Sequence, residues 1–165
     1  MYQFKLNFDW TEQFGASQYD YGNALTTGAD GSIYIAGYTW EHLDGQTNSG
    51  GYDAFLSKFN PDGTKVWTKL LGSSNFDYGN ALTTGADGFI YIAGDAKGDM
   101  DGQKNSSSTD AFISKFNPDG TKIWTKLLGS SQYTSSSALT TGADGFIYIV
   151  GDTSDHLDGQ TNSGG

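Results

Sequence analysis

The residues with the clearest capacity for chemistry lie in one short loop segment that occurs three times in the chain. In its first copy the segment reads Asp44-Gly45-Gln46-Thr47-Asn48. Oxygen-bearing side chains at alternate positions, with a glycine that lets the backbone turn sharply, suit a hard cation such as calcium. The candidate metal ligands of the three copies are Asp44, Asn48, Asp101, Asn105, Asp158 and Asn162.

The same loops are candidates for sugar contact, because aromatic residues in the first copy vary between repeats: Tyr38 and Trp40 become Asp95 and Lys97. Variable aromatic loops on a constant scaffold suit ligand binding. However, the bidentate glutamate of an EF-hand is absent, and aspartate and asparagine also form side-chain-to-backbone turns. The turn interpretation is favoured over metal or sugar contact. The candidate ligand-binding residues are Trp40, His42, Asp44, Gln46, Asn48, Asp101, Gln103, Asn105, His156, Asp158, Gln160 and Asn162.

Catalysis by the loop histidines is not expected. His42 and His156 occupy the same loop position, but the middle copy has Asp99 there. No carboxylate–histidine–hydroxyl set recurs with them, and the chain has no cysteine. A catalytic site needs such a set in a consistent geometry, so we expect no enzymatic activity and no catalytic residue.

These loops belong to an internal repeat. The string Gly22–Gly31 recurs unchanged at Gly79–Gly88, and a shortened copy runs from Ala138 to Gly145. The copies are 57 residues apart each time. A fixed period of this order indicates stacked units or propeller blades, which bury their apolar faces against one another.

Each repeat contains four strand-like pieces separated by turn signals. Asp-Gly and Asn-Pro-Asp-Gly sequences mark the hairpin turns, and no segment shows a helical period. The predicted strands of the first repeat are Asn23–Thr27, Ile33–Gly37, Asp53–Phe59 and Lys65–Leu71. Four strands per repeat predict an all-β propeller built of four-stranded blades.

Individual residues support the assignment of the third and fourth strands. Lys65 and Lys69 decorate the fourth strand, as expected of a protected outer edge. Asp53 and Asp110 are expected to accept backbone N–H bonds at the start of the third strand. The predicted organisation is an outer strand in residues 1–21, blade repeats in 22–78 and 79–135, and a partial blade in 136–165.

The segments Gly31–Thr39, Asp53–Thr64 and Trp67–Gly72 resemble a bacterial β-propeller repeat family, the seven-bladed propeller type found in cyanobacterial and other bacterial surface or secreted proteins. The resemblance implies the fold and an extracellular or cell-surface setting, and it carries no catalytic activity or ligand. No N-terminal signal peptide is visible, because the sequence after Met1 alternates polar and apolar residues.

The charge and the composition limit the classes of partner that the chain is expected to bind. The formal net charge is −10, all nine basic residues are lysine, and no apolar run is long enough to cross a membrane. An acidic chain without arginine is a poor match for nucleic acid. We therefore expect a non-enzymatic scaffold for protein interaction or assembly, or alternatively a lectin-like carbohydrate-binding propeller that uses calcium.

The N-terminal strand indicates how the repeats assemble. From Tyr2 to Trp10 apolar and polar residues alternate without a turn signal, which predicts one long strand from Tyr2 to Phe14, and the edge lysines of the fourth strand are missing. Propeller rings need about four to eight blades, more than three repeats supply. We expect a homodimer that closes a six-bladed ring, in which this strand completes the partial blade at Ser137–Val150 of the other copy.

Overall fold

The computed structural model describes residues 10–162. Across this range the chain is built of β-strands joined by turns and loops, and no helix is present among these residues. The ten strands are β1 (Asp20–Thr27), β2 (Ile33–Thr39), β3 (Asp53–Phe59), β4 (Lys65–Leu71), β5 (Asp77–Thr84), β6 (Ile90–Ala96), β7 (Asp110–Phe116), β8 (Lys122–Leu128), β9 (Thr134–Thr141) and β10 (Ile147–Thr153).

The strands form three antiparallel sheets in chain order. Blade 1 is β1-β2-β3-β4, blade 2 is β5-β6-β7-β8, and blade 3 contributes β9 and β10 within the described range. The prediction of an all-β chain with four-stranded units is therefore confirmed. Strands β3 and β4 have the predicted bounds.

The first strand of each blade begins earlier than predicted. In blade 1 it starts at Asp20, and the register shifts between Gly22 and Ala24, which marks a β-bulge. The bulge lets the strand continue through Gly22, the residue just before the predicted start at Asn23. Across the bulge, a Cβ on Gly37 would lie 1.7 Å from the Tyr21 carbonyl oxygen, so only glycine fits there.

The first strands of successive blades lie against each other, β1 on β5 and β5 on β9, while β4 and β8 form sheet edges. The first strands, which carry small residues, therefore lie on the inner side of the blades. The fourth strands, which carry the lysines, lie at the outer edge, as the lysine pattern predicts. One buried cluster joins blades 1 and 2. It includes Tyr34, Ala36, Leu56 and Leu71 from blade 1 and Leu82, Ile90, Ile92, Phe112 and Phe116 from blade 2.

Two tryptophans, Trp10 and Trp67, each bind the turn of the blade that follows them. The Trp67 indole N–H donates to the Pro118 carbonyl oxygen at 3.3 Å, and Trp10 does the same to Pro61 at 2.9 Å. The Trp67 indole therefore lies at the junction between blades 1 and 2. Because Pro61 and Pro118 open equivalent β3–β4 and β7–β8 turns, the contact is a repeating feature of the blade junction.

The segment 10–14 takes the place of a preceding blade's fourth strand. Phe14 packs on Phe55 and Phe59, with ring centroids 5.8 and 5.0 Å apart. Residues 10–14 form no strand in the structure, and no strand of the described range pairs with them. The rest of the predicted strand Tyr2–Phe14, residues 2–9, lies outside the described residues.

Candidate functional site

The repeated aspartate–glycine loop is a tight turn, as the favoured interpretation predicts. Leu43 and Gln46 exchange backbone hydrogen bonds of 3.2 and 2.8 Å. Between them, Asp44 and Gly45 have φ values of 51° and 74°. Two successive positive φ values define a type I′ turn, in which aspartate and glycine are the preferred residues. The same geometry recurs at Asp101-Gly102 and Asp158-Gly159.

In blades 1 and 2 the carboxylates of these turns bind side chains of the outer strand of their own blade. Asp44 accepts from the Lys65 ammonium and the Thr68 hydroxyl, and Asp101 pairs with the Lys122 ammonium at 2.5 Å. Burial acts to raise the pKa of Asp44 and Asp101, but the lysine hydrogen bonds and charges outweigh it and hold each pKa below its usual value. Both carboxylates are therefore already satisfied within the blade.

The asparagines of the loop hold its two ends together. The Asn48 amide donates to the carbonyl oxygens of Thr39 at 3.2 Å and Gly51 at 3.0 Å, and it accepts from the Gly50 N–H at 2.9 Å. Asn105 and Asn162 donate to the corresponding carbonyl oxygens at the end of the second strand. These contacts are the side-chain-to-backbone turns expected from the sequence.

The histidines are hydrogen-bond acceptors for the same loops. Nδ1 of His42 accepts from the Asn48 N–H at 3.0 Å, and Nδ1 of His156 accepts from the Asn162 N–H at 2.9 Å. In blade 2 a carboxylate oxygen of Asp99 accepts the equivalent bond from Asn105 at 3.0 Å. The histidine-to-aspartate exchange between repeats is explained by this shared acceptor role.

The loop glutamines Gln46, Gln103 and Gln160 do not make the same contacts in all three copies. The Gln103 amide donates to the Thr125 carbonyl oxygen and accepts from the Leu127 N–H at 3.1 Å, so it binds the edge of β8 like a short extra strand. Gln46 and Gln160 take part in their turns through backbone groups. The candidate residues thus lie in three separate loops and do not converge on one centre.

Within residues 10–162 no group of three or more His, Asp or Glu side chains is arranged to hold a metal ion. Carbonyl, amide and water oxygens also bind calcium, so the calcium site at these loops stays a prediction.

Buried aspartates organise the starts of strands. Asp53 accepts from the Ser49 N–H at 2.8 Å, and Asp110 accepts from the Ser106 N–H at 2.8 Å, as predicted. Asp77, at the start of β5, was not identified from the sequence. Burial raises its pKa to about 6 against hydrogen bonds from Ser73, and the charge of Asp53 adds to the increase.

Six aromatic rings form a continuous patch at the loop end of blades 1 and 2, which we call the aromatic surface. Its ring centroids lie 4.7–6.2 Å apart in stacked, tilted and edge-to-face pairs. Its members are Tyr21, Tyr38, Trp40, Tyr52, Phe76 and Tyr78. Sequence comparison between repeats finds Tyr38 and Trp40. The other four come from three chain segments that meet only in the fold.

A cavity of about 400 Å³ opens beside this surface. It is lined by Trp40, Glu41, His42, Asn48 and Gly50. The Glu41 carboxylate accepts from Ser17 and Gln18 at 2.5 Å each, and these hydrogen bonds hold its pKa below the usual value. Aromatic, carboxylate and imidazole groups therefore line one site.

Two blade faces are open to solvent. The leading face, on blade 1, consists of Leu25, Ile33 and Ile35, and Leu25 is 71% exposed whereas its equivalent Leu82 is 7% exposed. The trailing face, on blade 3, consists of Ala138, Thr140, Tyr148 and Val150. Tyr148 is 52% exposed, compared with 6% for Tyr91 at the same position of blade 2.

Comparison with protein families identifies the repeat. The model of the Beta-propeller repeat family matches residues 9–44 and 123–158, which cover equivalent positions two repeats apart. A second model, a beta-propeller domain of unknown function, matches residues 28–65. Both matches agree with the observed four-stranded units and with the resemblance derived from the sequence.

Among curated proteins, the chain is similar to the regulatory protein FlaEY of Caulobacter vibrioides, with 30% identity over 151 residues. The match covers 83% of this chain and 16% of that protein, so the chain spans a small part of its relative's length. Among residues 10–162, no helix is long and apolar enough to cross a membrane.

Proposed function

We propose that this bacterial β-propeller repeat protein is a non-enzymatic scaffold whose role is assembly with other propeller repeats. The observation that carries the proposal is the pair of open faces. Inside the chain, residues of blade 1 that are equivalent to the trailing face pack against residues of blade 2 that are equivalent to the leading face. Tyr34 and Ala36 of blade 1 share one buried cluster with Leu82 of blade 2. The chain therefore carries both halves of a junction that it already forms internally.

Polar contacts at the junction repeat in the same way. The Thr84 hydroxyl donates to the Thr27 carbonyl oxygen at 3.0 Å, and the Thr141 hydroxyl donates to the Thr84 carbonyl oxygen at 2.8 Å. In each case the hydroxyl donates to the equivalent threonine of the other blade. If a second copy docks in the same way, the Thr27 hydroxyl of one copy would donate to the Thr141 carbonyl oxygen of the other. A junction with repeated apolar and polar contacts gives the docking of a second copy one defined register.

We propose that two copies dock head to tail at both ends and close as a six-bladed homodimer. Six blades fall within the range of closed propellers, and two-fold dimers are the commonest closed oligomers. The predicted strand Tyr2–Phe14 would then lie in the blade begun by β9 and β10 of the partner. Its described part supports this arrangement, because Phe14 already packs in a fourth-strand position.

The setting we propose is extracellular or at the cell surface, as the family resemblance implies. The similarity to a regulatory protein suits an interaction role, since propeller blades present loops on a rigid framework. The test is the molar mass in solution by light scattering at micromolar concentration. We expect twice the chain mass of 17.7 kDa, and a compact monomer would contradict the proposal.

A second candidate function, lectin-like carbohydrate binding, is favoured by the aromatic surface. Exposed aromatic rings give sugars a flat apolar contact beside polar groups. A glycan array probed with and without calcium tests both this function and the predicted calcium dependence. The absence of binding in both conditions would remove the candidate.

A further inference from the structure

The exposure of Trp40 has a different origin from that of the open faces. Leu25 and Val150 are exposed because no blade covers them. Lys97, the equivalent of Trp40, is also exposed, although blade 2 is flanked by a blade on each side. This position therefore stays in contact with solvent when its blade is fully flanked, and assembly does not account for a tryptophan there.

The Trp40 side chain is held in place by other rings. Its indole contacts Tyr52 edge-to-face at 4.9 Å and lies 6.0 Å from Phe76, while 40% of the residue remains exposed. A ring fixed by its neighbours loses little side-chain entropy when a ligand stacks on it. The indole is therefore a preorganised wall of the adjacent cavity.

The polar groups of the cavity are also oriented before any ligand arrives. Ser17 and Gln18 hold the Glu41 carboxylate, and the Asn48 N–H bonds to Nδ1 of His42. Because Nδ1 accepts this bond, the other ring nitrogen of His42 is available to a ligand. Carboxylate oxygens have several acceptor positions, so Glu41 can accept further hydroxyl donors.

We propose that the cavity formed by Trp40, Glu41, His42 and Asn48 binds a single neutral pyranose, which stacks on the indole and donates a hydroxyl hydrogen bond to Glu41. This inference rests on the second candidate function and restricts it to one site. A pyranose joins an apolar face to a rim of hydroxyls, and the cavity offers an aromatic wall beside acceptors. The carboxylate and the net charge of −10 disfavour sulfated or uronic-acid sugars.

The site is unique to blade 1. The equivalents of Trp40 are Lys97 in blade 2 and Ser154 in blade 3, although blade 3 keeps the same histidine as His156 with the same hydrogen bond. We therefore expect one sugar per chain, in contrast to a lectin that uses all three repeated loops. His156 serves as a matched internal control.

The experiment uses the full chain on an array of neutral gluco-, manno- and galacto-configured oligosaccharides, with uronic-acid oligosaccharides as the charged arm. The best neutral binder is then titrated against wild type and the variants Trp40→Ala, His42→Ala and His156→Ala. We expect at least a tenfold loss of affinity for Trp40→Ala and His42→Ala, and a change below twofold for His156→Ala.

Several results would overturn the inference: no neutral oligosaccharide bound by wild type, stronger binding of the charged arm, or an equal loss for His156→Ala. A Trp40→Ala variant with an unchanged melting temperature and unchanged affinity would overturn it too. All lining residues come from one chain, so binding is independent of assembly. A monomeric protein that binds sugar at Trp40 would contradict the scaffold and support this site.

Discussion

Blade 2 and the two blades beside it carry almost the same residues in different surroundings. Blade 2 has a neighbour on both faces, and its Leu82 and Ala93 are 7% and 0% exposed. On the outward sides of blades 1 and 3, the equivalent Leu25 and Val150 are 71% and 61% exposed. Burial in this fold is thus decided by the adjacent blade rather than by the residue.

This difference separates two kinds of stability. Residues of the inner junction contribute to folding of the single chain, whereas residues of the leading and trailing faces contribute only when a partner covers them. Equivalent positions in the repeat therefore provide matched pairs, in which the chemical change is the same and only the surroundings differ.

The largest contrast is expected at the tryptophans. Trp67→Ala removes the contacts with Tyr34 and with the Pro118 turn of the next blade, and it should cost about 3–5 kcal/mol of unfolding free energy. Trp124→Ala should cost less, because among the described residues Trp124 contacts Tyr91 but no turn of a following blade. Urea unfolding of both variants measures the difference, and equal losses would contradict the junction role of Trp67.

Leu82 and Leu25 form the next pair. Leu82→Ala opens a cavity in the buried cluster and should cost about 3 kcal/mol, whereas Leu25→Ala should change the stability of the dissociated chain by less than about 0.5 kcal/mol. Unfolding is measured at a concentration where the protein is monomeric. A large loss for Leu25→Ala under that condition would show that blade 1 is covered within one chain.

Asp77 predicts a pH dependence of stability. Its pKa is raised from 3.8 to about 6 in the folded chain, so the protonated form is favoured by folding. Its contribution is therefore complete below about pH 4 and is lost as the pH rises through about 6, on the order of 2–3 kcal/mol in total.

The matched position in blade 3 carries the neutral Thr134, which shows that the strand start tolerates an uncharged side chain. Asp77→Asn should therefore lose less stability than wild type between pH 4 and pH 7. Thermal unfolding at both pH values measures this difference. Parallel pH profiles of the two proteins would mean that Asp77 does not titrate in this range.

The smallest effect is expected in the loops. His42→Asp copies the acceptor that blade 2 already uses at Asp99 and should change the unfolding free energy by less than about 0.5 kcal/mol. His42→Ala removes the acceptor of the Asn48 N–H and should cost about 1 kcal/mol. Melting temperatures of the two variants distinguish the cases, and equal values would show that the bond contributes nothing measurable.

The sequence was informative where a single blade determines the structure. Repeat spacing and turn residues predicted the bounds of β3 and β4, and the Asp-Gly turns were interpreted correctly. The start of β1 was missed because a bulge carries the strand through Gly22. The aromatic surface was found only in part, since Tyr52 and Phe76 meet Trp40 through the packing of two blades, which local patterns do not encode.

Head-to-tail docking is tested by mixing two variants that each lose one of the two open faces. Leu25→Glu places a charge on the leading face, and Val150→Glu does so on the trailing face. Val66→Glu is the control, since Val66 is 49% exposed on β4, at the outer edge of blade 1. Each face variant alone should sediment as a monomer, while the control should assemble like wild type.

In an equimolar mixture of the two face variants, the Leu25→Glu protein still has an intact trailing face, and the Val150→Glu protein still has an intact leading face. Head-to-tail docking therefore predicts a 1:1 complex in the mixture, detected by sedimentation velocity at micromolar concentration, with no complex in either separate sample. A mixture that stays monomeric while wild type assembles would contradict the account, because the two open faces would then not be each other's partners.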